Sequence, residues 1–82
     1  MDMTVTLGRL AISNDYEHVG LIVSQMFTAM MGDRLEWFEE NYPNLVFVRN
    51  VAKDPVSYQD IYEWYVVFND TISLAHYKLT FG

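Results

Sequence analysis

The run Ile61-Tyr62-Glu63-Trp64-Tyr65-Val66-Val67-Phe68-Asn69-Asp70-Thr71-Ile72-Ser73-Leu74-Ala75-His76-Tyr77-Lys78-Leu79-Thr80-Phe81 decides how the chain is read, because Asn69-Asp70 separates two apolar segments. Both residues tolerate the positive φ angles of a tight turn, so the pattern predicts a hairpin joining strands over 61–68 and 72–81. In that register Phe68 faces Thr71, Val66 faces Ser73, Trp64 faces Ala75 and Tyr62 faces Tyr77. The opposite face pairs Val67 with Ile72, Tyr65 with Leu74, Glu63 with His76 and Ile61 with Lys78.

A sheet with one wet face alternates apolar and polar residues, and neither face of this hairpin does so cleanly. Helices can cover one face. The other, carried by Ile61, Glu63, Tyr65, Val67, Ile72, Leu74 and His76, is expected to meet a homodimer mate, a different protein, a small apolar ligand or the turn-rich segment 52–60. The plain alternative is a strand pair that simply carries exposed Tyr, Val and Ile.

Upstream, 4–13 reads as a strand in which Val5 and Leu7 sit at odd positions, Leu10 and Ile12 at even ones, and Gly8-Arg9 between. A one-residue phase change at glycine suggests a β-bulge, or else two short strands with a kink. Asn14 with Glu17 three residues on resembles a capping box, which starts a helix near Asp15. Val19, Ile22, Val23, Met26 and Met30 then recur at helical spacing, and Tyr16, Leu21, Phe27 and Met31 widen the apolar face. Gly32-Asp33 marks a break, because one helix over 15–41 would be roughly 40 Å long, too long for so small a domain. A second helix over 34–41 follows, stopped by Tyr42-Pro43, and then a strand over 45–51.

These elements sum to one α+β domain over residues 1–82. The order is β-α-(α)-β-β-β, an antiparallel four-stranded sheet with one or two helices packed on one face. With 51% apolar and 16% aromatic residues, the 82-residue chain can fold on one core. It has no cysteine, hence no disulfide, thiolate metal site or cysteine nucleophile. An acidic residue near the start and no apolar run of about 18 residues argue against a secretory signal and a membrane span, so a cytoplasmic location is expected.

Eleven acidic residues against five basic ones give a net charge of −6. That charge disfavours direct contact with nucleic acid or anionic membrane and favours a basic protein surface. The acids concentrate in 33–42, where Asp33, Glu36, Glu39 and Glu40 accompany Trp37, Phe38 and Tyr42 against one cation, Arg34. Glu36 and Glu40 are a like-charge i,i+4 pair that a basic partner would relieve. The set expected to touch such a partner is Asp33, Glu36, Trp37, Glu39 and Glu40, with the loop acids Asp54 and Asp60 in support. An ordinary solvated helix face with Trp37 and Phe38 turned inward is the competing view.

Chemistry of the chain's own is not indicated. His18 and His76 make no metal motif, the serines lack a nucleophile elbow, and the glycines form no phosphate loop, so neither catalysis nor a cofactor is expected. Adjacent Glu39 and Glu40 diverge on a helix and cannot flank one bond. Only a pocket shared by Glu63, His76 and a tyrosine would support proton transfer. In size, acidity and lack of catalytic motif the chain resembles a format used by phage-encoded inhibitors, including anti-CRISPR proteins and DNA mimics. That likeness of type implies a non-enzymatic inhibitor occupying a nucleic-acid-binding surface, in the host cytoplasm if the chain is viral. The second expectation is a small homodimeric sheet protein.

Overall fold

The computed structural model describes residues 2–15 and 17–82. Its elements run β1 (Thr4–Ile12), α1 (Val19–Met31), α2 (Asp33–Asn41), β2 (Phe47–Lys53), β3 (Asp60–Val67) and α3 (Thr71–Phe81). The three strands form one antiparallel sheet in the order β1-β3-β2. β3 is therefore central, and its even positions Tyr62, Trp64 and Val66 are buried, followed by Phe68 just past the strand. Leu7 of β1, Val23 and Met31 of α1, Phe38 of α2, and Leu74 and Tyr77 of α3 complete the core on that side. The fold is thus α+β with three strands and three helices, which corrects the expected four-stranded sheet with one or two helices.

The correction lies in residues 69–81. Asp70 does not turn a hairpin; it caps α3, its carboxylate accepting the Ser73 N–H at 2.7 Å. Two physical facts favour the helix. Ile72 and Leu74 alternate at even positions, but Tyr77, Leu79 and Phe81 fall at odd ones, so a strand would need a phase slip, whereas Leu74, Tyr77 and Phe81 share one helical face. Moreover β3 is already paired along both edges, with β1 and with β2, so β3 has no free edge with which residues 72–81 could form a hairpin. The expected cross-strand pairs between 61–68 and 71–78, Glu63 with His76 among them, do not form.

The hairpin of the structure is instead β2–β3, closed by residues 54–59. There the Asp54 carboxylate accepts the Val56 N–H at 2.9 Å, the Asp54 carbonyl accepts from Tyr58 and the Asp54 N–H donates to the Gln59 carbonyl. Tyr58 takes the left-handed conformation, φ 59°. The bulge in β1 is present, with the register shifting between Thr6 and Gly8. A Cβ at Gly8 would overlap the Met30 thioether, so glycine there lets α1 sit directly against the bulged strand.

α1 begins later than expected, because Ser13 and Asp15 hydrogen-bond each other locally and His18, in the left-handed conformation, stands at its N-cap. Asn14 is thus not the cap, and the contribution expected of Tyr16 lies outside the described residues. The break between the helices is real and one residue wide. Gly32, at φ 51°, ends α1 by donating to the Thr28 carbonyl and starts α2 by accepting from Leu35.

Two expectations follow. Asp70→Ala lowers the melting temperature by several degrees and reduces far-UV helicity, while Asp70→Asn, also a good cap, preserves both. The Ser73 N–H holds the Asp70 carboxyl below its ordinary value. Its stabilisation is therefore complete above the ordinary aspartate range and lost as pH falls through the lowered value, so Asp70→Asn flattens that part of the acid limb. Gly8→Ala makes the flexible end of Met30 swing aside and costs about 1 kcal/mol or less in urea unfolding. In a double-mutant cycle Met30→Ala recovers part of that loss.

Candidate functional site

Arg34 organises the region around α2. It is the only cation of that helix, and its guanidinium is turned inward. One nitrogen donates to the Leu7 carbonyl at the bulge and to the Met30 carbonyl in the last turn of α1, both at 3.1 Å; the other donates to the Tyr77 hydroxyl of α3 at 3.1 Å. A cation at a helix C-terminus is favoured by the helix dipole, and α1 has no basic residue of its own there. The positive charge of α2 is thus used inside the fold, and its outer surface is left to Asp33, Glu36, Glu39 and Glu40, all exposed.

The four acids are not equivalent. Asp33 and Glu36 lie in the first turn, where the exposed N–H groups of the helix welcome negative charge. Glu39 and Glu40 lie in the last turn, where the dipole opposes them and no basic residue compensates. At about 100° per residue, Asp33, Trp37 and Glu40 fall within an arc of about 60°, with Glu36 beside them and Glu39 further round.

Trp37 is half-buried in a seam between α2 and α3. Around it stand Phe38 at 5.1 Å, His76 at 4.9 Å, Phe81 at 5.4 Å and Tyr42 at 5.4 Å between ring centroids, the first three edge to face. Exposed His76 hydrogen-bonds through Nδ1 with the Tyr42 hydroxyl at 3.0 Å, which ties α3 to the end of α2. Sequence reasoning grouped Trp37, Phe38 and Tyr42 in the acidic segment but missed His76 and Phe81 as their neighbours. Only a helical reading of α3 brings those rings to one place.

The loop acids stand apart from this region. Phe38 packs on Phe47 at one end of β2, while Asp54 follows its other end, some 20 Å along the strand. Asp54 has work of its own in the turn, where the Val56 N–H holds its carboxyl below the ordinary range. Asp60 faces Lys53 and Ile12 in the ladder. The expected acidic set is therefore brought together in part: α2 assembles its members, and Asp54 and Asp60 belong to the far end of the sheet.

The expected sheet-face set is divided as well. Ile61, Glu63, Tyr65 and Val67 share the face of β3 opposite the core, half-buried to exposed, with Glu63 flanked by Arg9 and Asn50. Leu74 is buried in the core, Ile72 is 81% exposed on α3, and His76 joins the aromatic seam. Glu63 and His76 thus share no pocket. A depression of about 390 Å³ on the outer side of α1, lined by Ser24, Gln25, Thr28 and Ala29, holds no titratable side chain. Among the described residues no three His, Asp or Glu side chains are grouped to hold a metal ion, and no helix is long and apolar enough to cross a membrane. Comparison with family models, curated proteins and solved structures finds no match to the chain.

The Arg34 contacts predict a measurable cost. Arg34→Met should lower stability by about 2–3 kcal/mol in urea unfolding, since three acceptors lose a charged donor. Arg34→Lys should recover only part, because one ammonium cannot span the three.

Proposed function

We propose that the chain is a non-enzymatic protein-binding module that offers the carboxylates of α2 to a basic, nucleic-acid-binding surface of another protein, acting as an inhibitor that occupies the place of the nucleic acid. The observation that carries this reading is the position of Glu39 and Glu40. They crowd the negative end of their own helix, add to the Glu36–Glu40 repulsion, and receive nothing from Arg34, which is engaged inside. A helix that tolerates such charge for no gain to its own stability gains from a cationic partner. Carboxylates in a row mimic the charge of a phosphate backbone, and binding of this kind is screened by salt. The format is that of phage-type inhibitors such as anti-CRISPR proteins, and the proposed place of action is the cytoplasm.

A second reading draws on the open sheet face, where Ile61, Tyr65 and Val67 are half-buried to exposed; two copies meeting there would form a homodimer. Sedimentation equilibrium separates the two, since a monomer at micromolar concentration removes the dimer.

The test of the first reading is capture of partners from host lysate on the native chain and on Glu36→Gln/Glu39→Gln/Glu40→Gln. The native bait should retain a nucleic-acid-binding protein at low salt and release it to high salt or to added polynucleotide, while the triple variant retains little. Equal retention on both baits would end the electrostatic reading.

A further inference from the structure

We propose that the cation read by this surface is a guanidinium, so that the partner presents Arg rather than Lys to the Trp37–Tyr42–His76 seam between α2 and α3. The inference rests on the reading of α2 as an anionic docking face and adds to it a chemical preference that the carboxylates alone do not supply. Exposed carboxylates attract Lys and Arg alike. The aromatic rings beside them do not, because a guanidinium is planar, weakly hydrated and stacks on ring faces, whereas an ammonium holds its water as a compact charge.

The placement suits such a ligand. Trp37 stands in the same strip of the helix as Asp33 and Glu40, one turn to either side. Exposed His76 and half-buried Tyr42 lie within 6 Å of it or of each other, centroid to centroid, and their mutual hydrogen bond fixes the two rings before any ligand arrives. A guanidinium laid on these rings keeps its edge free for bidentate hydrogen bonds to a flanking carboxylate. The chain already holds one guanidinium over an aromatic ring: the Arg49 Cζ lies 5.5 Å from the centroid of Tyr62.

Blocked oligo-arginine and oligo-lysine peptides of equal length, titrated at low salt by calorimetry, test the proposal. The native chain should bind oligo-arginine more tightly, by roughly fivefold or more. His76→Ala, at an exposed helical position, should abolish that preference, the affinity for oligo-arginine falling to that for oligo-lysine, and His76→Phe should restore it; a melting curve checks that each variant is folded. Equal affinity of the native chain for both peptides overturns the guanidinium preference and leaves the anionic face standing. Persistence of the preference in His76→Ala overturns the seam as its source. If neither peptide binds, or the triple Gln variant binds both as well as the native chain does, the anionic reading itself fails and the preference falls with it.

Discussion

A single guanidinium holds four elements of this fold in register. Arg34 starts on α2 and reaches the bulge of β1, the last turn of α1 and the hydroxyl of Tyr77 on α3. The two carbonyls are groups that the local structure leaves short of partners: a bulge interrupts the ladder of one, and the other lies at a helix end with no N–H beyond it. Gly8 lets Met30 approach the bulge, and that approach brings both carbonyls within reach of one side chain. Packing and polar satisfaction therefore fix the same geometry, which is how a small chain without disulfides specifies one arrangement.

The same interaction shapes the outside. Had Arg34 pointed outward, α2 would carry an ordinary mixture of charges. Turned inward, it leaves four carboxylates on a helix that also displays Trp37, and the charge of the surface follows from the needs of the core. Asp33 and Glu36 are accounted for by their place in the first turn; Glu39 and Glu40 are not, and the proposed docking role of α2 rests on them.

Local signals in the sequence carried much of this. The phase change around Gly8 announced the bulge, Gly32-Asp33 announced the helix break, and Tyr42-Pro43 announced the end of α2. Residues 71–81 were misread because Ile72 and Leu74 alternate for two steps before the phase fails, and because Asn69-Asp70 suits a tight turn as well as a helix cap. Whether β3 had a free edge was decided far away, by β1 and β2, and no local pattern reports that. The aromatic seam was hidden by the same error: His76 reaches Tyr42 and Trp37 only from a helix. In the acidic segment the residues were legible, but the direction of Arg34 was not, since it depends on carbonyls 27 and 4 positions away.

The position of β3 also governs how the chain must assemble. The strand that joins the sheet is the last of the three to be synthesised, and Thr4 finds its partner only in Val67. As the polypeptide leaves the ribosome, β1 waits unpaired through two helices and a second strand, because loop closure over some fifty residues, from Ile12 to Asp60, precedes its first ladder contact. Until then β1 and β2 are both open edges in search of a neighbour, and the bulge in β1 helps to keep the nascent chain from pairing with other copies of itself.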